Sequence, residues 1–338
     1  MKKAVITGER RAEVAEVPDP RPKEDWAVVK VHVAPMCTEY KAFVAGHWSE
    51  FLGHEAVGEV AEVAQPGRVQ VGDRVVVQPQ YPCGQCALCI AGDYIHCQHS
   101  YDFVGFTGSR EGSATMAQYV LKPSWLLSKI PDDVSYERAS LALCALGPSF
   151  GAFERMGLGA FDTVLTTGLG PVGLGAVVNA RFRGARVIAV ESVPWRVERA
   201  KALGATAVIH PDDEEALARI MDLTQGTGVD CALDCSGSIK AQRLCLDATR
   251  RLGKAAFVGE CGEALAVKAS PDLIRTGITI AGSWHYNLNQ YPKVMQVIQE
   301  SPLLELLISH VLPMSRIQEA FETSASHECA KVLLKPWE

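Results

Sequence analysis

Alternating hydrophobic and polar residues mark the first part of the chain. Short β-type runs with this alternation lie at residues 27–33, 58–63 and 74–78, and turns rich in Gly and Pro separate them. This pattern predicts a small, mostly β domain. After residue 131 the hydrophobic period becomes helical, and Asp132 or Asp133 is the predicted cap of a helix running through Tyr136, Ala139 and Leu143.

From Phe161 onward the pattern changes to apolar runs that alternate with helical segments. Six candidate strands lie at residues 164–166, 187–190, 207–209, 231–234, 255–258 and 279–282. Helical segments such as 198–203 and 216–223 lie between them. Six strands separated by helices predict a doubly wound parallel α/β sheet.

The last part of the chain returns to different patterning, with a helix near residues 291–300 and a strand-like run at 331–334. A chain of 338 residues is long enough for two cores. We therefore predict a first domain made of residues 1–150 and 287–338, with a cysteine-rich lobe at about 81–100. The doubly wound domain is predicted to span 151–286.

One turn between the first predicted strand and helix of that second domain carries a binding pattern. Gly168, Gly170 and Gly173 form G-x-G-x-x-G, with Pro171 and Val172 between the last two glycines. Such a turn brings backbone N–H groups and a helix N-terminus close to a pyrophosphate. This context predicts binding of a dinucleotide.

Two charged residues follow the second strand of the predicted pair. Glu191 stands 21 residues after Gly170, where a carboxylate can accept hydrogen bonds from an adenosine ribose and would repel a 2′-phosphate. The predicted cofactor is therefore NAD and not NADP. Arg196 is a candidate to cover the adenine face, with a solvated helix arginine as the alternative.

Composition excludes several classes of function. The chain is 48% hydrophobic and 21% charged, with a formal net charge of −6, which gives no reason to expect nucleic acid or an anionic membrane as partner. The first residues lack the apolar core of a signal peptide, and we expect a cytoplasmic protein. Eleven cysteines in such a protein favour metal ligation over disulfides.

Four of the cysteines have the spacing of a zinc site. Cys83, Cys86, Cys89 and Cys97 follow C-x2-C-x2-C-x7-C, and four thiolates on one short segment can close a tetrahedral shell around zinc. A closed shell leaves no position for substrate, so this site is predicted to be structural. The neighbouring His96 and His99 are expected to be surface residues.

Ligands for a second zinc ion are scattered along the sequence. Cys37, the pair His54-Glu55 and Cys144 are candidates, but spacing alone does not assemble them. Taken singly, Cys37 and Cys144 also fit buried structural cysteines.

Several motifs together resemble one family. Residues 53–58 (GHEAVG), the four-cysteine lobe, residues 71–75 (VGDRV) and the glycine turn occur in the order of the zinc-dependent medium-chain alcohol and polyol dehydrogenases. The resemblance implies a GroES-like catalytic domain, a Rossmann NAD-binding domain, an active site in the cleft and two zinc ions per chain. It implies a catalytic zinc held by Cys37, His54 and Cys144, with Glu55 as a neighbouring carboxylate that can approach the zinc or replace a ligand. It also implies a homodimer or homotetramer.

The sequence departs from the family after the first cysteine. Cys37-Thr38-Glu39-Tyr40 stands where the family usually has a small residue, then Ser or Thr, then Asp. The hydroxyl of the proton relay is therefore replaced by Glu39 or displaced to Thr38. Only 16 residues separate Cys37 from His54, and in that loop His47 is a candidate end of the relay and Trp48 a candidate substrate contact. An exposed loop histidine is the alternative for His47.

Residues 282–287 resemble the segment that lies at the cofactor and substrate cleft in sorbitol dehydrogenase relatives. Trp284 and His285 are candidate substrate contacts on this resemblance. The alternative is that Trp284 belongs to the core, since aromatic residues mostly pack.

The predicted function is hydride transfer between a secondary alcohol, such as a polyol or a sugar, and NAD, with zinc as Lewis acid. Within enzymes, the alternative is a primary-alcohol, aldehyde or amino-alcohol dehydrogenase on the same scaffold, which Cys144 favours because polyol dehydrogenases often carry glutamate there. A non-catalytic NAD-binding protein and a zinc-free reductase are further alternatives.

Overall fold

A computed structural model describes all 338 residues, and these form two compact units. The first unit consists of Met1–Leu143, Asn287–Gln299 and Ile308–Glu338. The second consists of Cys144–Tyr286 and Glu300–Leu307. No helix in the chain has the length and apolar character needed to cross a bilayer.

The chain contains fifteen strands. They are β1 (Lys2–Gly8), β2 (Arg11–Glu16), β3 (Trp26–Pro35), β4 (Ala56–Val63), β5 (Arg74–Val77), β6 (Tyr119–Pro123), β7 (Leu127–Lys129), β8 (Thr163–Thr167), β9 (Arg186–Val190), β10 (Ala207–Ile209), β11 (Val229–Asp234), β12 (Thr249–Phe257), β13 (Thr279–Gly282), β14 (Ile308–Pro313) and β15 (Lys331–Lys335).

Eleven α-helices accompany the strands. They are α1 (Tyr40–Ala45), α2 (Ala87–Ile90), α3 (Phe103–Thr107), α4 (Tyr136–Ser140), α5 (Gly147–Met156), α6 (Pro171–Phe182), α7 (Pro194–Ala202), α8 (Ala216–Leu223), α9 (Ile239–Ala248), α10 (Tyr291–Glu300) and α11 (Ile317–Ala325). Short 3₁₀ or π turns lie at Tyr94–His96, Ser124–Leu126, Ala269–Ile274, Leu288–Gln290, Leu304–Leu307 and Met314–Arg316.

The second unit is a six-stranded parallel sheet in the order β10-β9-β8-β11-β12-β13. The six predicted strands are all present, which confirms the doubly wound architecture. Buried Ala, Val, Leu and Ile residues of the strands and of α8 and α9 form its core. The strand order reverses between β8 and β11, and ligands of such sheets bind at the carboxyl ends of the strands at that point.

The first unit is built around a seven-stranded sheet in the order β14-β15-β3-β4-β5-β7, with β6 paired to β3 and β1-β2 as a separate hairpin. The valines at 29, 31 and 33 of β3 are buried, as their alternation predicts. Strand β15 pairs with β3 in antiparallel fashion, so residues that follow the second unit in sequence lie inside the sheet of the first.

One predicted helix start is wrong. Helix α4 is capped by Ser135, whose side chain accepts a hydrogen bond from Arg138 N, and not by Asp132 or Asp133. Asp133 instead accepts from the side-chain amide of Gln299, a contact that is remote in sequence. The helix also ends at Ser140, before Leu143.

Candidate functional site

The four-cysteine lobe has the geometry of a metal shell. The Sγ–Sγ distances are 3.5 Å for Cys83–Cys97, 3.6 Å for Cys86–Cys89, 3.8 Å for Cys86–Cys97 and 4.0 Å for Cys83–Cys89. Four sulfurs bound to one zinc ion at about 2.3 Å lie about 3.8 Å apart at the corners of a tetrahedron. The donor set therefore fits zinc with all four positions taken by protein. Neither His96 nor His99 belongs to this group of side chains.

Hydrogen bonds hold the lobe in place. Backbone N–H groups of Cys83 and His99 each approach Cys97 Sγ at 3.4 Å. The pKa of the Cys83 thiol is lowered to about 6, chiefly by a hydrogen bond from the backbone of Gln85, which stabilises the thiolate. Asn287 donates its side-chain amide to Ala91 O at 2.9 Å, which fastens the lobe to a later segment of the same unit.

A second group of metal-binding side chains comes from distant parts of the sequence. One ligand atom from each of Cys37, His54, Glu55 and Cys144 lies within 4.8 Å of the others. Cys37 follows the end of β3, and His54 and Glu55 precede β4, which pairs with β3. Cys144 is bonded directly to Leu143, the last residue of that part of the first unit.

Glu39 contacts two members of this group, His54 and Cys37. Its Oε1 is 3.0 Å from His54 Nδ1, and its Oε2 accepts a hydrogen bond of 2.8 Å from Cys37 N. A carboxylate on the Nδ1 side of a histidine fixes the ring and leaves Nε2 to the metal. This contact favours an orienting role for Glu39 over the relay role considered above. Thr38, one residue earlier, is exposed.

Glu55 is held from the other side by a buried lysine. Lys331 Nζ on β15 lies 2.5 Å from Glu55 Oε1 and 2.9 Å from Met36 O, and neither side chain of the ion pair is exposed to solvent. Burial raises the pKa of Glu55 to about 7, against the opposing effect of Lys331. The pair directs one carboxylate oxygen of Glu55 toward the ammonium group.

Electrostatics at this group favour a cation. Burial lowers the pKa of His54, but its hydrogen bonds with Cys37 and Glu39 and the charge of Glu55 outweigh burial and raise that pKa to about 11. In the metal-free protein His54 therefore carries a positive charge beside Cys37 and the carboxylates of Glu39 and Glu55. A divalent metal ion would supply positive charge to the same group of side chains.

His47 and Trp48 lie in the loop after α1, and both side chains are exposed, Trp48 to 64%. Their proposed contacts with a relay or a substrate remain predictions.

The glycine turn of the second unit joins β8 to α6. Gly168 has φ +77°, and a Cβ there would lie 2.6 Å from the Cβ of Ser236. A Cβ on Gly173 would lie 1.9 Å from Gly168 O, so the first turn of the helix packs directly on the loop. Gly170 occupies the N-cap position and Pro171 the first helical position, followed by Val172. These positions leave helix N–H groups available to a phosphate.

Glu191 lies at the end of β9, as predicted, and its carboxylate is engaged by backbone. Oε2 accepts from Leu169 N at 2.7 Å, and Oε1 accepts from Ser192 N at 2.7 Å and from Val193 N at 3.0 Å. Each carboxylate oxygen has two lone pairs, so Oε2 retains capacity for a ligand hydroxyl. Arg196 Nη1 lies 3.9 Å from the position a Cβ would take on Gly170, which places the guanidinium beside the turn.

Comparison with known proteins identifies the family. Residues 23–132 match the alcohol dehydrogenase GroES-like domain, and residues 171–300 match the zinc-binding dehydrogenase family. The sorbitol dehydrogenase of Bacillus subtilis (strain 168) is 31% identical over 99% of this chain and 97% of its own length. The chain belongs to the zinc-dependent alcohol dehydrogenase family. The resemblance and the GroES-like plus Rossmann fold class predicted from the sequence are confirmed.

Two further relatives of this alcohol dehydrogenase chain cover much of its length. The L-idonate 5-dehydrogenase of Vitis vinifera is 34% identical over 81% of this chain and 75% of its own. The solved structure of alcohol dehydrogenase TADH from Thermus sp. ATN1 covers 99% of both chains at 28% identity, with a TM-score of 0.87. The chain is accordingly a dehydrogenase of the zinc-dependent alcohol dehydrogenase family.

The second unit of the dehydrogenase also has a cavity beside the glycine turn that the motif alone does not define. It holds about 290 Å³ and includes Gly168 and Glu191, but also Ser236, Ser238 and Lys240. Sequence reasoning did not single out these last three residues. Their position after β11, the strand next to β8, was the available signal, since ligands of parallel sheets bind at carboxyl ends.

The two aromatic candidates after β13 differ in exposure in this dehydrogenase. Trp284 is 46% exposed, whereas His285 is only 4% exposed and its ring lies 4.4 Å from that of Tyr286. A Cβ on Gly151 would lie 2.3 Å from His285 O, so α5 packs closely on this segment. Trp284 is thus accessible to a ligand and does not occupy the core position considered for it, whereas His285 is buried.

Proposed function

We propose that the chain oxidises a secondary alcohol of a polyol or sugar-derived substrate, with transfer of hydride to NAD. The observation that carries this proposal is the set of Cys37, His54 and Cys144, three ligands of a kind that leaves a fourth zinc position for a substrate oxygen. The names of the relatives, sorbitol dehydrogenase and L-idonate 5-dehydrogenase, support the substrate class.

We propose two zinc ions per chain. The lobe cysteines would hold one in a closed shell, and Cys37, His54 and Cys144 would hold the other. Glu55 lies within the second group, but its ion pair with Lys331 supports a place beside the metal and not among its permanent ligands.

When bound, zinc supplies a Lewis acid that lowers the pKa of the substrate hydroxyl, and NAD supplies the hydride acceptor. Glu39 holds the His54 ring through Nδ1, which leaves Nε2 available to the metal. The Thr38 hydroxyl is the proposed acceptor of the substrate proton, and it passes that proton to solvent, with His47 as a candidate last step. Trp48 is a proposed substrate contact in the first unit, and Trp284 is one in the second.

The proposed cofactor site combines the glycine turn with the carboxylate of Glu191. The turn at Gly168, Gly170 and Gly173 would take the pyrophosphate, and Glu191 Oε2 would accept from an adenosine ribose hydroxyl. A 2′-phosphate at this carboxylate would place like charges together, which supports NAD over NADP.

A primary-alcohol, aldehyde or amino-alcohol substrate is the second candidate, favoured by one observation. Cys144 stands at the position where polyol dehydrogenases often carry a glutamate. The polyol proposal stays the first choice because the relatives named above are a sorbitol dehydrogenase and an L-idonate 5-dehydrogenase.

We further propose that the chain forms a homodimer or homotetramer. Strand β13 is the last strand of its sheet, paired with β12 on one side only, and no Lys, Arg or Pro interrupts Thr279–Gly282. Such an edge is a template for pairing with a second copy. Sedimentation equilibrium tests this, and a monomer at micromolar concentration would contradict it. A cytoplasmic location is proposed from the thiolate sites, which need a reducing compartment.

The test of function is NADH formation against a panel of polyols, sugars, simple alcohols and amino alcohols, on protein whose zinc content is measured. We expect activity on vicinal diols or sugars with about two zinc ions per chain. Selective activity on amino alcohols or primary alcohols would favour the second candidate. No turnover together with one zinc per chain would contradict the catalytic proposal.

A further inference from the structure

Asp234, the last residue of β11, is a fully buried carboxylate that the mechanism above does not use. It collects donors from three places. Oδ1 accepts from Thr167 Oγ1 at 2.8 Å and from Ser236 N and Oγ at 3.0 and 2.6 Å. Oδ2 accepts from Gly237 N at 3.0 Å and Gln242 Nε2 at 3.3 Å. All five groups donate to the carboxylate, and hydrogen bonds to a carboxylate are stronger than those between neutral groups.

These donors belong to segments that surround the cofactor cavity. Thr167 immediately precedes Gly168 of the glycine turn, and Thr167 and Ser236 both line the cavity. The backbone carbonyl of Asp234 also accepts from Val258 N and Gly259 N, each at 2.9 Å, at the end of β12. One residue thus connects the carboxyl ends of three neighbouring strands.

The glycine turn and the loops after β11 and β12 are packed closely at three glycines. A Cβ on Gly168 would lie 2.6 Å from Ser236, and one on Gly237 would lie 2.3 Å from Glu260 O. A Cβ on Gly259 would lie 2.2 Å from Gly237 N and 2.8 Å from Asp234 Oδ2. A small displacement of the loop after β11 would therefore move the glycine turn as well.

We propose that Asp234 is a positioning residue for the dinucleotide, which sets the placement of the glycine turn relative to residues 236–238 and so determines NAD affinity. The inference rests on the proposed use of NAD. A loop held in its binding conformation loses less entropy when the ligand binds. In Asp234→Asn one acceptor oxygen is replaced by an NH₂ group, which would face a donor. The loop after β11 would then lose some of the hydrogen bonds that fix it.

The same strand offers a matched control. Asp230 also joins β11 to β8, because its Oδ2 accepts from Thr163 N at 2.8 Å, and its Oδ1 accepts from Arg250 Nε at 2.6 Å. Asp230 lies near the amino end of β11, whereas the cavity is formed by residues at the carboxyl ends. Asp230→Asn removes a comparable inter-strand contact at a site without a cofactor segment.

The experiment compares Asp234→Asn with Asp230→Asn by titration of NAD against intrinsic tryptophan fluorescence, with thermal unfolding of each NAD-free protein measured in parallel. We expect the Kd for NAD to rise about tenfold in Asp234→Asn, which corresponds to about 1.4 kcal/mol. The Asp230→Asn variant should bind NAD within about twofold of wild type even where its unfolding temperature falls equally. At saturating NAD, kcat of Asp234→Asn should stay within about threefold of wild type.

Thr167→Val and Ser236→Ala keep the carboxylate and provide folded variants if Asp234→Asn does not fold. Each should raise the Kd for NAD by a few-fold, and together by less than the product if both act through Asp234. If wild-type protein does not bind NAD, the proposed function falls and the inference with it. If wild type binds NAD and these variants bind as tightly as Asp230→Asn, the inference alone is overturned.

Discussion

The two cysteine-containing groups are built in different ways. The lobe draws all its ligands from one segment, Cys83 to Cys97, and its supporting donors are mostly backbone N–H groups nearby. The second group draws ligands from three separate segments and is backed by the charged side chains Glu39 and Lys331. The lobe therefore has the features of a structural metal site. In the second group, Glu39 also orients His54, and Lys331 neutralises the charge of Glu55.

The difference implies that stability and chemistry can be lost separately. A closed four-thiolate shell offers no position to a substrate, so damage to it should act through folding. Damage to the second group should act on turnover, because the hydrophobic core to which strands β3 and β4 contribute includes none of the four ligand candidates.

The largest expected effect follows substitution of a ligand in the second group. Cys37→Ser should lower kcat/KM by at least ~10³-fold, since loss of the Lewis acid removes several kcal/mol of transition-state stabilisation. Zinc per chain should fall by one, with the unfolding midpoint nearly kept. Steady-state kinetics and metal analysis measure both. Activity within tenfold of wild type would show that this group is not the catalytic centre.

The next largest effect is expected on stability, from the lobe. Cys83→Ser should also remove one zinc, but it should lower the free energy of unfolding by several kcal/mol, because metal binding there is folding energy. Denaturant titration provides the measurement, and Cys261→Ser, outside both groups, is the control. A Cys83→Ser protein with normal stability and full zinc content would remove the contrast between the two groups.

A smaller effect separates the two residues after Cys37. Glu39→Gln should weaken zinc binding or activity about 10- to 100-fold, as expected for a residue that orients a ligand histidine. Thr38→Ala should leave zinc content unchanged and alter the pH–rate profile instead. Zinc competition with a chelator and pH–rate curves distinguish them. The reverse pattern would return Glu39 to the proton relay.

The smallest effect is expected in the cofactor site, which shares no residue with either group. Glu191→Ala should weaken NAD binding and narrow the preference over NADP by about tenfold, the equivalent of about 1.4 kcal/mol. Zinc content should remain as in wild type. Specificity constants for the two cofactors give the ratio, and an unchanged ratio would assign Glu191 only to support of the backbone at Leu169 and Val193.

Much of the fold was predictable because its signals are local. The six strands of the second unit are short apolar runs, and the lobe cysteines lie within one segment, so periodicity and spacing suffice. The contacts that define the second group are not local. The bonds from Glu39 to His54 and from Lys331 to Glu55 depend on tertiary structure, and no periodicity reports them.

The same reason explains the residues that sequence reasoning missed or misjudged. Asp132 and Asp133 were reasonable caps by composition, but Asp133 binds Gln299, which lies 166 residues later. Asp234 stands at the end of a correctly predicted strand, but nothing in a strand pattern shows that five donors converge on its carboxylate.

Strand β15 bears on the order in which the protein can form during synthesis. It pairs with β3 and brings Lys331 to Glu55 across 276 residues, while every strand of the parallel sheet lies between these two in sequence. Contacts of such long separation form late, because a long loop must close first. The Rossmann unit can thus fold during synthesis before the sheet of the first unit is complete. The ion pair between Glu55 and Lys331 forms only after β15 has been synthesised.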